Sequence, residues 1–234
     1  MNKVCFPHLS IESNNSINHN LISDTGFDII HKRGNIRLSI PQIYQPGFVN
    51  YTLVLLQLES DRIFTRYIPE SVLFRVEWHL LLNGCNDVYA ILIDMSIPSD
   101  EKRFFVIHLP TRRLVYSTYV AHGRGSGRGR YAEKFSDEQN SYCTTLGLYR
   151  TGEYYIGKHG DSYRMLGLEE CNKNAVLRYI VIHSAWYVSE EFAKKHGRCG
   201  NSHGCPAVSE EAFKILKPVL EQKVLIYIFH LDIT

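Results

Sequence analysis

Long apolar runs are missing from this chain of 234 residues. The longest, Tyr51-Thr-Leu-Val-Leu-Leu-Gln-Leu58, is far short of the ~20 residues needed to cross a bilayer, so no membrane span is expected. The opening Met1-Asn-Lys-Val-Cys-Phe-Pro-His8 lacks the apolar centre of a secretory signal, and polar Ser10 to Asn20 follows almost at once. Charge of one sign is also scarce. The 26 Lys and Arg against 24 Asp and Glu leave a net charge of +2, too small to direct the chain to nucleic acid. No internal repeat or long low-complexity tract is present. The cysteines, Cys5, Cys85, Cys143, Cys171, Cys199 and Cys205, are too widely spread to read as a disulfide framework. They fit a reducing compartment, or an envelope protein with free thiols.

The composition is 44% hydrophobic, enough to bury a core, and the 15 tyrosines lean toward strands. Residues 1–47 are rich in Asn, Ser and Ile without a sustained period and read as a loosely ordered or arm-like segment. Residues 48–87 read as a cap or packing segment. It holds a strand at 51–58 and a helix over Glu70–Leu82, stopped by Asn83-Gly84, with His79 as a packing residue. From residue 88 the texture becomes short strands: 88–94, 103–109, 113–120, 145–150, 153–157, 162–167, 178–183 and 223–230. Ser189 and Ser209 are placed to cap helices at 190–196 and from 210, the second ending at Pro218. The fold class expected is mainly β with a few helices (α+β), its main domain spanning 88–234.

The chemistry concentrates between His183 and Cys205. His183 ends the apolar run Arg178-Tyr-Ile-Val-Ile-His183, and a Gly/Asn/Ser loop then delivers Ser202-His-Gly-Cys205. A cysteine attacks only as its thiolate, and a nearby imidazole is the commonest acceptor of its proton. His183 is thus the candidate base and Cys205 the candidate nucleophile. No Asp or Glu adjoins His183, so a backbone carbonyl such as that of Ser184 would fix its tautomer. The amides of Gly204 and Cys205 are candidates for an oxyanion hole, and Pro206 stiffens the turn. A papain-like arrangement is disfavoured because there Cys precedes His.

The order His, about twenty residues, Ser-His-Gly-Cys resembles the L,D-transpeptidase (YkuD-type) catalytic domain. With Pro-Ala after the cysteine it is similar to the murein L,D-transpeptidase catalytic domain branch. Tyr119-Val-Ala-His-Gly123, Thr145-Leu-Gly-Leu-Tyr149, Tyr155-Ile-Gly-Lys-His-Gly160, Gly167-Leu-Glu169 and Val224 to Phe229 carry the same likeness. It covers about 88 to 234. The resemblance implies a β-sandwich-like catalytic domain and no metal or organic cofactor. It implies acyl transfer on peptidoglycan stem peptides through a Cys205 thioester, giving 3–3 cross-links. Water in place of the amine would make an L,D-carboxypeptidase, and a degenerate wall-binding module is the non-enzymatic alternative. It also implies a cell-envelope or periplasmic location, which the opening residues do not announce. By the same likeness His203 is an accessory residue of the catalytic motif and Ser202 lies on the substrate side. His122 and His159 are expected along the donor groove, with Lys158 and Arg178 available for substrate carboxylates. The loop from His183 to Ser202 is slightly longer than the commoner family spacing.

Two further clusters compete for attention. His196, Cys199, His203 and Cys205 are zinc-type donors, but their spacing is no standard knuckle and would consume the nucleophile. A Cys199–Cys205 disulfide that silences the site is a separate expectation raised by their closeness. Gly123-Arg-Gly-Ser-Gly-Arg-Gly-Arg-Tyr131 places three arginines among glycines. No Gly-Lys-Ser/Thr follows, so it is not a P-loop, and a loop edging the cleft is expected over a nucleic-acid site.

Overall fold

A computed structural model describes the backbone of residues 26–31 and 34–39, and residues 69–233 apart from Gly84 and His159. The chain divides into two compact units, Phe6–Glu59 and a larger one containing Ser60–Thr234. In the smaller unit β1 (Gly26–His31) and β2 (Gly34–Ser39) pair antiparallel, Gly26 opposite Ser39. This hairpin lies within the stretch expected to be arm-like. The strand expected at 51–58 falls outside the described residues.

The larger unit runs α1 (Glu70–Asn83), β3 (Tyr89–Asp94), β4 (Phe104–His108), β5 (Arg113–Thr118), β6 (Gly147–Gly157) and β7 (Gly160–Gly167). It continues with β8 (Val181–Ser184), α2 (Glu190–His196), β9 (Ala207–Val208), α3 (Glu210–Leu220) and β10 (Leu225–Phe229). Strands β3 to β10 form one sheet in the order β5-β4-β3-β10-β6-β7-β8-β9. The pairs β3–β10 and β8–β9 are parallel and the rest antiparallel. Beyond β5 the chain reaches the far edge of the sheet. Ala121 bridges Ala207 of β9, its N–H 2.8 Å from the Ala207 carbonyl, and Gly123 bridges Ser202. The sheet is thereby rolled, its two ends tied through residues 119–123.

Alternation along the central strands explains their apolar sequences. Ile91 and Ile93 of β3 and Ile226 and Ile228 of β10 face one core, together with Phe104, Tyr149, Tyr163, Ile182 and Phe213 and Leu216 of α3. Their neighbours Leu92, Leu225, Tyr227 and Phe229 face the other, under Val72, Leu73 and Val76 of α1. A strand buried on both faces has no polar positions to alternate with, so Leu225-Ile-Tyr-Ile-Phe229 reads as one continuous run. The mainly-β α+β class is what this architecture shows.

Local chemistry sets the element ends. Ser189 Oγ accepts the Phe192 N–H at 3.0 Å and Ser209 Oγ accepts that of Ala212 at 3.1 Å, capping α2 and α3 as their sequences require. Three differences from the sequence reading have a clear local cause. Helix α3 runs past Pro218 to Leu220, because a proline this near the end removes one N–H while Glu221 N–H still reaches the Lys217 carbonyl at 3.1 Å. The strands expected at 145–150 and 153–157 are one strand with a bulge between Thr151 and Tyr154, at Gly152. The strand expected from Arg178 begins at Val181, because Asn174–Tyr179 turns back on itself, with Arg178 N–H on the Asn174 carbonyl at 2.9 Å.

Ile226 is fully buried at the centre of the sheet. Ile226→Ala is expected to lower unfolding free energy by about 2–5 kcal/mol, through lost burial plus a cavity that central strands close poorly. Urea denaturation followed by fluorescence measures it; a loss under 1 kcal/mol would mean that the core can collapse there.

Candidate active site

The site forms where β8 lies between β7 and β9. His183 is opposite Ser162 on β7 and opposite Ala207 on β9. Its Nδ1 lies 2.8 Å from the Ser184 carbonyl oxygen. A carbonyl only accepts, so Nδ1 carries the proton and Nε2 is the basic nitrogen. The ring is 3% exposed. A backbone carbonyl thus holds the tautomer, as the lack of an adjoining carboxylate in the sequence required.

Cys205 stands two residues before β9 and is half-buried. Its Sγ lies 3.7 Å from the Tyr179 carbonyl oxygen. Burial pushes the Cys205 thiol up, while a hydrogen bond from the Val181 backbone and the charge of Arg178 pull it down. The Val181 hydrogen bond ties the thiol to β8, two residues before His183. The balance favours a resting neutral thiol, which needs a base before it can attack.

The turn before the cysteine is braced from within. Ser202 Oγ–H donates to the Cys205 carbonyl at 2.6 Å and accepts the Gly204 N–H at 3.1 Å. Gly204 has φ of +119°, and a methyl there would sit 2.7 Å from the Cys143 carbonyl oxygen. Glycine is required on both counts. Ser202 N–H also reaches the His122 carbonyl at 3.0 Å, and Arg124 N–H reaches the Ser202 carbonyl at 2.8 Å.

The structure gathers His183, Ser184, Ser202, Gly204 and Cys205. His203 points outward and is exposed, its ring edge-on to Tyr142 with centroids 4.9 Å apart. Lys158 is exposed at the β6–β7 hairpin turn, and His159 lies outside the described residues. His122 and Arg178, expected along the groove, are instead enclosed. His122 is fully buried, accepts from Arg103 Nη2 at Nδ1 (2.9 Å) and donates from Nε2 to the Gly127 carbonyl (3.0 Å). The Arg178 side chain is 3% exposed. It donates to the carbonyls of Ser136 (2.8 Å) and Cys143 (2.6 Å) and to the Thr145 hydroxyl, and pairs with Asp137 at 3.4 Å. It therefore reaches the site through its field on Cys205.

Sequence reading missed Arg103, Tyr142 and Tyr187. Arg103 is fully buried and ties His122 to the Val120 and Ile97 carbonyls. Burial, then the nearby Cys205, push the Tyr187 hydroxyl up to about 12. Only the positive-φ aromatic Tyr142 (φ 55°) has a trace in the sequence, as the residue after Asn140-Ser141. Cys199 is committed elsewhere: its Sγ donates to the Ser99 carbonyl at 2.9 Å, and it and Cys205 are free thiols. Among the described residues no group of three or more His, Cys, Asp or Glu is arranged to hold a metal ion, and no helix is long and apolar enough to cross a membrane.

The profile of a family described as YkuD_2, L,D-transpeptidase catalytic domain, matches residues 82–229. No curated protein matches the chain. Among solved structures it is similar to an L,D-transpeptidase from Mycobacterium smegmatis, at 11% identity and a TM-score of 0.38, over 61% of this chain and 58% of that one. It is also similar to one from Stackebrandtia nassauensis, at 13% and 0.36, over 63% and 59%. A third, from Mycobacterium tuberculosis H37Rv, matches at 13% and 0.38, over 61% and 57%. The chain thus spans slightly under three fifths of the length of these structures.

Burial, then the charge of Arg103, pull the His122 imidazole down to about 4. An unfolded histidine takes its proton near pH 6.5, so the unfolded state gains protons first as pH falls. Stability from this residue is full above about pH 6.5 and declines toward pH 4, by up to about 3 kcal/mol. NMR titration of the His122 ring with denaturation at pH 7 and pH 5 checks this. A His122 that titrates near 6.5 would refute the buried arrangement.

Proposed function

The chain belongs to the L,D-transpeptidase catalytic domain family, and on that premise we propose that it is a cysteine-dependent L,D-transpeptidase acting on peptidoglycan stem peptides. One observation carries the assignment of roles. The His183 imidazole donates from Nδ1 to a backbone carbonyl, on a strand whose parallel neighbour begins two residues after Cys205.

In this reading His183 Nε2 takes the Cys205 proton as Sγ attacks the carbonyl between the third residue and the D-Ala of a tetrapeptide stem. The negative oxygen that forms is held by the Cys205 amide and by the Gly204 amide, which turns from Ser202 Oγ to do so. The protonated imidazole then gives its proton to the departing D-Ala amine, leaving a thioester on Cys205. An amine from a neighbouring stem, deprotonated by His183, attacks the thioester. It restores the thiol and forms a 3–3 cross-link. Ser184 orients the base, and His203 and Lys158 flank the approach. The reaction needs no metal or organic cofactor, and its substrate locates the protein in the cell envelope.

A resting thiol that is raised by burial makes the base indispensable. Cys205→Ser is expected to lower turnover about a thousandfold or more with the fold intact, because a hydroxyl is far harder to deprotonate beside a base matched to a thiol. His183→Gln should cost about 10²–10⁴-fold. Intact-protein mass spectrometry with a tetrapeptide donor or a carbapenem should show an adduct on Cys205 that Cys205→Ala lacks. Product analysis with an added acceptor amine separates cross-linking from hydrolysis. Near-normal turnover by Cys205→Ser would sink the mechanism.

A further inference from the structure

Arg124 is exposed at the start of the glycine-arginine loop, beside the nucleophile turn. Its guanidinium lies over the face of Tyr142, 4.0 Å from the ring centroid. The same ring meets the edge of His203, two residues before Cys205. The backbone fixes this stack from both sides. Arg124 N–H is on the Ser202 carbonyl (2.8 Å) and Gly125 N–H is on the Tyr142 carbonyl (3.0 Å). Gly123 packs so closely on Tyr142 and Gly204 that no side chain fits there. Of the loop's other arginines, Arg130 is paired with Asp100 at 2.9 Å, and Arg128 is exposed; outside the loop, Arg178 is enclosed. Among the described residues no carboxylate pairs with the Arg124 guanidinium.

We propose that Arg124, held on Tyr142, is a specificity-determining residue that anchors a carboxylate of the acyl-donor peptide next to Cys205. An aromatic face supports a guanidinium while leaving its N–H edge able to grip a carboxylate with two parallel hydrogen bonds. An arginine on such a platform is pre-organised, so less freedom is lost when the anion arrives. The tetrapeptide donor offers two such groups near the scissile bond, the terminal carboxylate of the leaving residue and any side-chain carboxylate of the third residue. The inference rests on the transpeptidase reading and adds to it the charge class of the donor.

The test follows Cys205 acylation of the full chain by mass spectrometry, against concentration, with three donors. They are the free acid, its C-terminal amide, and the donor with its third-residue side-chain carboxylate amidated. In the wild-type protein one amidation raises the half-saturating concentration about tenfold, and which one does so identifies the carboxylate. Arg124→Gln raises that concentration about tenfold for the free acid, leaves the maximal rate unchanged, and abolishes discrimination between acid and amide. Arg124→Lys recovers part of the affinity, because the charge remains and the paired geometry does not. A wild-type protein indifferent to both amidations, or an Arg124→Gln variant with unchanged half-saturation, would overturn the anchor while leaving the transpeptidase reading standing. No acylation by any donor would overturn that reading and the anchor with it.

Discussion

The parallel contact between β8 and β9 is the constraint on which the site depends. It joins His183 to Ala207 and Ser184 to Val208, and a hydrogen bond from the Val181 backbone of β8 to the Cys205 thiol adds to it. A strand two residues long cannot hold itself in place. Its position comes from both flanks: Ala185 N–H on the Val208 carbonyl at 2.8 Å, and Ala121 N–H on the Ala207 carbonyl at 2.8 Å. The second bond ties the far end of the sheet to the same strand. Rolling the sheet and placing the Cys205 turn are therefore one event, and core packing inside the roll contributes directly to the register of β8 on β9.

The electrostatics follow from that enclosure. Taking a thiol out of water disfavours its anion, and here the Val181 amide and Arg178 offset the penalty without being its largest influence. A preformed thiolate is not what this site builds. It holds a thiol raised by burial and an imidazole whose Nδ1 proton is fixed by the Ser184 carbonyl, the arrangement that the proposed proton transfer calls for. His122 and Arg103, a layer deeper, follow the same economy, with a neutral ring accepting from a buried cation.

Much of this was legible in sequence because it rests on local rules. The apolar runs of β3 and β10 and the serine caps of α2 and α3 show in residue type and spacing, and so does the group His183, Ser202, Gly204 and Cys205 that the fold brings together. The Ser184 carbonyl could be named because the absence of a neighbouring carboxylate left a backbone acceptor as the local choice. What was not legible depends on direction across the fold. His122 sits in a motif that fits a groove, yet the segment that crosses to β9 turns it inward onto Arg103. Arg178 opens an apolar run, yet a turn at Asn174–Tyr179 folds it beneath the 136–145 segment. Cys199 is six residues from Cys205, but its thiol is committed to Ser99 on another loop. Sequence distance carries no information about which face a loop residue takes.

The two buried arginines account for how such irregular loops can be enclosed at all. Loop carbonyls have no ladder to pair with, and each left unpaired in the interior would cost free energy comparable to a lost hydrogen bond. Arg103 gathers the Val120 and Ile97 carbonyls, and Arg178 those of Ser136 and Cys143. A guanidinium is suited to this, since its five donors in one plane serve several acceptors at once. Burial pulls Arg103 down to about 10, with Cys199, Asp94 and Asp100 opposing, so it stays charged at neutral pH. Among the described residues its hydrogen bonds go to backbone carbonyls and to the His122 imidazole, so its partners are dipoles. An apolar residue of similar size would remove the charge from the interior but orphan those carbonyls, and the loops that shape the nucleophile turn would lose their common anchor. The cations are in the interior because the loops are.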